Sequence, residues 1–76
     1  MLQFKEGLIP MVTLAERLKE LRTSNSLTQS QVAEILHISR PAYTQYETGK
    51  KQPSIETLVK LAELFKTSVD YLIGRY

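Results

Sequence analysis

The chain has 76 residues, of which 42% are apolar and 24% charged, and its formal net charge is +2. A chain of this size buries only about 60% of the surface of its unfolded state, which allows one small domain and no deep catalytic cavity. It contains no cysteine, so disulfides and thiolate metal sites are excluded. No apolar run approaches the roughly 20 residues that span a bilayer, and residues 1–10 lack the apolar region and cleavage site typical of a signal peptide. We expect a single cytoplasmic domain that works through a binding surface, without a cofactor or metal.

Residues 1–12 show no clear periodicity and contain Gly7 and Pro10. We therefore divide the chain into an N-terminal arm, residues 1–12, and a helical domain, residues 13–76. Two interpretations of the arm are open: a frayed or loosely packed terminus, or an extension whose apolar side chains contact a second copy or DNA.

Cap residues and apolar periodicity predict five short helices in the domain. The predicted N-caps are Thr13, Thr28, Ser39, Ser54 and Ser68. Glu16 and Gln31, each three residues after a threonine, complete two capping boxes. The residues predicted to face the core are Leu14, Leu18, Leu21, Val32, Ala33, Leu36, Tyr43, Tyr46, Ile55, Leu58, Leu61, Ala62, Phe65, Val69, Leu72 and Ile73. With no alternating strand pattern, these helices predict a compact all-α bundle.

The segment between the second and third helices predicts a helix-turn-helix. The second helix must end near His37, because Ser39 caps the next helix, and Gly49 ends the third. A turn of about three residues makes the two helices cross steeply instead of lying antiparallel. The third helix is slender enough to enter a DNA major groove, which is about 12 Å wide.

Polar side chains on the outer face of this third helix indicate base recognition. Arg40 can pair with a guanine edge, and Gln45 can form two hydrogen bonds with adenine. The ring of Pro41, or the methyl group of Ala42 or Thr44, can contact the methyl group of a thymine.

Flanking residues can supply contacts to the DNA backbone. We expect Lys50, Lys51 and Gln29, together with the free amides at the start of the second helix, to contact phosphates. Each also has a simpler interpretation: the two lysines belong to a solvated loop, and Gln29 is a side chain of the capping turn. A serine nucleophile has no support, because the chain shows no Ser-His-Asp pattern, and we do not expect an enzyme.

Several segments together resemble the lambda-repressor-like helix-turn-helix family of the xenobiotic-response-element type. They are Leu27-Thr28-Gln29-Ser30-Gln31-Val32-Ala33, Ile38-Ser39-Arg40, Tyr46-Glu47-Thr48-Gly49, Pro53 and Ser68-Val69-Asp70-Tyr71-Leu72-Ile73-Gly74. The resemblance covers about residues 13–74. It implies a five-helix DNA-binding domain of a phage or bacterial transcriptional regulator.

The resemblance also implies roles for individual residues. The positions implied to face the bases are Ser39, Arg40, Pro41, Thr44 and Gln45. It further implies a phosphate contact for Gln29 and an ion pair between Arg22 and Glu47. His37 stands where glycine is common in the family; histidine is among the residues that tolerate a left-handed conformation.

We expect a repressor that binds a palindromic operator in double-stranded DNA as a homodimer. The dimer-interface candidates at the carboxyl end are Val69, Tyr71, Leu72, Ile73 and Tyr76. These residues could instead only close the bundle. The alternative function is an antitoxin-like module that binds a partner protein and binds DNA secondarily.

Overall fold

A computed structural model describes residues 9–74 of the chain, with side chains from residue 14 onward. Within that range the chain forms five helices and no strand, which confirms the predicted all-α class. The helices are α1 (Ile9–Ser24), α2 (Gln29–Leu36), α3 (Arg40–Thr48), α4 (Ile55–Leu64) and α5 (Val69–Leu72).

Side-chain caps set the starts of the last four helices. The Thr28 hydroxyl accepts a hydrogen bond from the Gln31 amide at 3.0 Å, and the Gln31 side chain accepts one from the Thr28 amide at 2.8 Å. This is the predicted capping box of α2. Ser39, Ser54 and Ser68 cap α3, α4 and α5 in the same way, each through its side-chain oxygen. These four predicted N-caps are confirmed.

The predicted start of the first helix is wrong. Helix α1 begins at Ile9, so Thr13 lies inside the helix and is not its N-cap. A polar residue followed by glutamate three positions later fits a helix interior as well as a capping box, because Thr has only a moderately lower helix propensity than its neighbours. Residues 1–8 lie outside the described part, and the division into an arm and a domain stays a prediction.

The core lies where all five helices meet. Its buried residues are Leu14, Leu18, Val32, Ala33, Leu36, Tyr43, Leu58, Leu61, Ala62, Phe65 and Leu72. Ile55, which we predicted to face the core, is instead 72% exposed. It is the first residue of α4, and Pro53, two positions before it, is buried.

Helix α3 packs against both α1 and α2. Tyr43 is completely buried, and its ring meets the ring of Tyr46 edge-on at a centroid distance of 6.0 Å. The two tyrosines therefore form the inner face of α3, as predicted. This packing leaves the opposite face of α3 on the surface.

Candidate nucleic-acid interface

The turn that joins α2 to α3 contains a residue in the left-handed conformation. His37 ends α2 with φ 61° and ψ 41°. The amide of Ile38 donates to the carbonyl of Ala33 at 3.0 Å, and the amide of His37 donates to the carbonyl of Glu34 at 3.1 Å. These bonds close the helix end tightly, so that Ser39 starts α3 at once.

A single carboxylate, that of Glu47, joins α1 to α3. Arg22 at the end of α1 donates from Nε to Oε2 of Glu47 at 2.6 Å and from Nη2 to Oε1 at 3.2 Å. Its Nη1 donates to the carbonyl of Leu27 at 2.9 Å. The side chains of Arg22 and Glu47 are only 13% and 3% exposed. The pair that the resemblance implies is therefore present as a two-point, largely buried contact.

Two further donors complete the surroundings of this carboxylate. The Tyr43 hydroxyl donates to Oε2 of Glu47 at 2.5 Å, and Nε2 of Gln29 donates to Oε1 at 3.1 Å. Burial alone raises the pKa of the Glu47 carboxyl, but the hydrogen bonds from Arg22, Tyr43 and Gln29 outweigh it and hold that pKa below its ordinary value. Glu47 is therefore ionised at neutral pH.

The same carboxylate also shifts the pKa values of two neighbouring side chains. Burial, and the hydrogen bond to Glu47, raise the pKa of the Tyr43 phenol, so that its hydroxyl stays protonated and donates. The hydrogen bond to Glu47 raises the pKa of the Arg22 guanidinium.

The chain of hydrogen bonds continues from Glu47 to the outer side of α3. Gln29, the first residue of α2, accepts a hydrogen bond at its Oε1 from the Thr44 hydroxyl at 2.8 Å. Gln29 thus bridges Glu47 and Thr44, which lie on α3 about one turn apart. The residue predicted to contact phosphate is linked directly to a residue predicted to face the bases.

The remaining predicted site residues are on α3, at its N-cap, or just after its end. Ser39, Arg40, Pro41 and Gln45 are exposed, while Thr44 is half-buried. The Ser39 oxygen accepts from the Ala42 amide at 3.2 Å, so that this side chain also serves as the N-cap of α3. Lys50 and Lys51 are both exposed just after Gly49, which ends α3 with φ 78°.

An open depression next to α3 brings in a lysine that our sequence analysis did not assign to the site. Its lining residues are Lys19, Arg22, Leu27, Thr28, Gln29, Ser30 and Arg40. The first-turn amides of α2, those of Gln29 and Ser30, have no intrahelical acceptor by position. Lys19, Gln29 and Arg40 belong to three different helices. No local sequence pattern therefore indicates that they lie around one depression.

The predicted dimer-interface residues at the carboxyl end differ in burial. Leu72 is fully buried in the core, which favours for this residue the alternative that it only closes the bundle; the dimer interface itself stays a prediction. Val69, Tyr71 and Ile73 are half-buried, and Tyr76 lies outside the described residues. Arg17 donates to the carbonyl of Tyr71, and its guanidinium lies 4.1 Å from the centroid of the Tyr71 ring. Among the described residues, the exposed large apolar side chains are those of Ile35, Ile55 and Val59.

The sequence profile of the helix-turn-helix family matches residues 18–72, which is most of the chain. The chain belongs to the lambda-repressor-like helix-turn-helix family. This is a family of DNA-binding transcription regulators that includes repressors from bacteria and phage.

Three relatives show the range of the family. An uncharacterized helix-turn-helix transcriptional regulator of Bacillus subtilis, YqaE, is 42% identical over 59 residues, which are 78% of this chain and 51% of the relative. The transcriptional repressor RstR of the cryptic phage CTXphi in Vibrio cholerae is 40% identical over 63 residues, 83% of this chain and 56% of RstR. The transcriptional activator BcrR of Enterococcus faecalis is 41% identical over 59 residues, 78% of this chain and 29% of BcrR.

The chain spans about half the length of YqaE and RstR. The relatives are named as transcriptional regulators, and none of the three is named as an enzyme. Between residues 9 and 74, no helix is long and apolar enough to cross a membrane. The same part of the chain has no group of three or more His, Asp or Glu residues placed to hold a metal ion.

Proposed function

We propose that this chain is a sequence-specific regulator of transcription that binds double-stranded operator DNA with α3 in the major groove. The observation that carries the proposal is the outer face of α3. Arg40 and Gln45 are exposed on it, and both residue types can form two hydrogen bonds with one base. The inner face of the same helix is fixed by the buried Tyr43 and Glu47, so the outer side chains stand on a rigid support.

The charges around α3 support a backbone-contacting role. Lys19 and Arg40 lie beside the first turn of α2, and Lys50 and Lys51 follow α3. Cations at both ends of a reading helix can contact the phosphates on either side of the groove. The phosphate contacts that we assign are those of Gln29, Lys19, Lys50 and Lys51.

We also propose that two copies bind a palindromic operator. One domain of this size offers few base contacts, and two copies on half-sites about 34 Å apart double their number. Among the described carboxyl-end candidates, Val69, Tyr71 and Ile73 are partly exposed and available for such a contact, and Tyr76, outside the described residues, stays a candidate. The name of RstR supports a repressor, while the name of BcrR shows that a relative activates.

The direct test is selection of bound duplexes from a random DNA library by the purified full chain at near-physiological salt. We expect enrichment of a palindrome. An enriched single half-site would refute the homodimer but retain base recognition. Salt-sensitive binding without any enriched sequence would refute sequence-specific regulation, and would favour the antitoxin-like module that acts through a partner protein.

Variants separate base recognition from backbone contacts. Gln45→Ala is expected to relax the preference at one base position. Lys19→Ala is expected to weaken binding to all sequences and to reduce the slope of log affinity against log salt by about one unit. Lys60→Ala, which removes an exposed lysine from α4, is the matched control and should leave that slope unchanged. Equal losses of DNA affinity from Lys19→Ala and Lys60→Ala would contradict the assignment of Lys19 to the DNA interface.

A further inference from the structure

The hydrogen bonds between α1, α2 and α3 form one chain with a fixed direction. It runs from Thr44 to Gln29 and from Gln29 to Glu47, and Glu47 also accepts from Arg22. A carboxylate that is ionised has no hydrogen to donate, so every partner of Glu47 must be a donor. The direction of the whole chain follows from this one charged group.

The orientation of the Gln29 amide is the first consequence. Its NH₂ group must point to Glu47, which places its carbonyl oxygen Oε1 on the opposite side, next to Thr44. One of the two N–H bonds of Nε2 is used by Glu47. The other N–H is left for a phosphate at the mouth of the depression that Gln29 lines.

The role of the Thr44 hydroxyl is the second consequence. Because Oε1 of Gln29 can only accept, the Thr44 hydroxyl must donate, and its single hydrogen is used 2.8 Å from Gln29. Threonine elsewhere can donate to the acceptors of a base, such as O6 and N7 of guanine. Thr44 has no hydrogen left for that purpose. It keeps two groups for a base: its methyl, and the hydroxyl oxygen, which can accept only from an amino group such as N4 of cytosine or N6 of adenine.

We propose that Thr44 determines specificity through its methyl group, by contact with a thymine methyl, while its hydroxyl holds Gln29 in position for phosphate. The proposal rests on the proposed function, since it assigns two tasks to one side chain of the DNA interface. The sequence analysis offered Pro41, Ala42 and Thr44 for the thymine contact, and the proposal assigns the contact to Thr44. Pro41 and Ala42 have no hydroxyl and no bond to Gln29, whereas Thr44 couples the base contact to the backbone contact.

Two substitutions divide the two tasks of this side chain. Thr44→Ser keeps the hydroxyl and removes the methyl, so the bond to Gln29 survives and the thymine contact is lost. Thr44→Val keeps a methyl and removes the hydroxyl, so the thymine contact survives and Gln29 loses a partner. Thr44→Val is close to isosteric and Thr44→Ser only removes one methyl group, both at a half-buried helix position, and far-ultraviolet circular dichroism with thermal unfolding checks that each variant folds.

The experiment measures the affinity of the full chain for the selected operator while each thymine in turn is replaced by uracil, which lacks the methyl. For the unsubstituted protein we expect one thymine per half-site at which the replacement weakens binding about four-fold. Thr44→Ser should bind the two operators equally at that position. Thr44→Val should keep the four-fold difference and bind operator and random DNA more weakly by the same factor.

The outcomes distinguish this inference from the proposed function. If the unsubstituted protein selects an operator but Thr44→Ser keeps its sensitivity to uracil, the methyl contact belongs to another residue and the inference is overturned. It is also overturned if Thr44→Val loses affinity for the operator alone. If no operator is selected at all, the proposed function has failed and the inference fails with it.

Discussion

The two halves of this domain share one apolar core but differ in their buried polar contacts. Helices α1, α2 and α3 meet around the carboxylate of Glu47, which accepts hydrogen bonds from side chains of all three helices. Helices α4 and α5 join the core through apolar side chains such as those of Leu58, Leu61 and Leu72. Apolar packing tolerates exchange of side chains of similar volume, whereas hydrogen bonds fix the direction of each group. The half that carries the candidate interface is the half in which side-chain orientation is fixed.

Leu61→Ala is expected to have the largest effect on stability and no effect on base preference. Leu61 is fully buried, and its truncation should lower the free energy of unfolding by about 4 kcal/mol. Urea unfolding measures this loss. Val59→Ala on the exposed side of the same helix is the control and should change stability by less than about 1 kcal/mol. A changed operator from selection with Leu61→Ala would show that the halves are not separate in function.

Glu47→Gln is expected to lower the free energy of unfolding by about 3 kcal/mol, because it leaves the largely buried Arg22 guanidinium without a counter-charge. Unlike Leu61→Ala, it should also weaken DNA binding under conditions in which the protein is folded. The matched control is Glu34→Gln, the same change on the exposed side of α2. Similar unfolding free energies for the two variants would contradict the role of Glu47.

The stability contributed by Glu47 depends on pH in a defined direction. Its pKa is lowered in the folded state, so the folded protein holds this proton less tightly than the unfolded chain, whose glutamates titrate near about 4.3. The contribution is therefore complete above about pH 4.3 and is lost as the pH falls through the folded-state pKa. Urea unfolding at several pH values should show the difference between the unsubstituted protein and Glu47→Gln shrinking upon acidification. A constant difference would contradict the assignment.

His37→Gly is expected to change the free energy of unfolding least, and to raise it where the other substitutions lower it. The left-handed conformation of His37 is strained for a residue with a side chain, and glycine should stabilise the protein by about 0.5–1 kcal/mol. Glu34→Gly, three residues earlier inside α2, should destabilise it by about 1 kcal/mol. Thermal unfolding of both variants shows whether each one is stabilised or destabilised. Destabilisation by His37→Gly would show that the imidazole has a role that the backbone conformation of His37 does not explain.

The sequence predicted helix boundaries well where one side chain determines them. Thr28, Ser39, Ser54 and Ser68 cap their helices through bonds to residues three positions away, a local signal that the sequence displays. Thr13 shows the same local pattern but lies inside α1, which begins at Ile9. The residues around Thr13 do not indicate that the helix starts four positions earlier.

Contacts between distant residues could not be predicted from local patterns. Arg17 and Tyr71 are 54 positions apart, and no periodicity connects them. Ile55 is exposed although its spacing from Leu58 and Ala62 places it on the apolar side of α4, because the first residue of a helix can extend beyond the surface that the helix packs against. The pair of Arg22 and Glu47 was available only through the resemblance, and the bond between Gln29 and Thr44 was not predicted at all.

We expect that Glu47 orients the side chain of Gln29 and thereby affects DNA affinity only through Gln29. A double-mutant cycle in DNA affinity tests this directly. The proteins compared are the unsubstituted chain, Gln29→Ala, Glu47→Gln and the double variant, each bound to the selected operator at one salt concentration at which all are folded. We expect Glu47→Gln to weaken binding in the presence of Gln29 and to cause no further loss once Gln29 is alanine. Losses that add in full would contradict the account, because Glu47 would then affect DNA binding independently of Gln29.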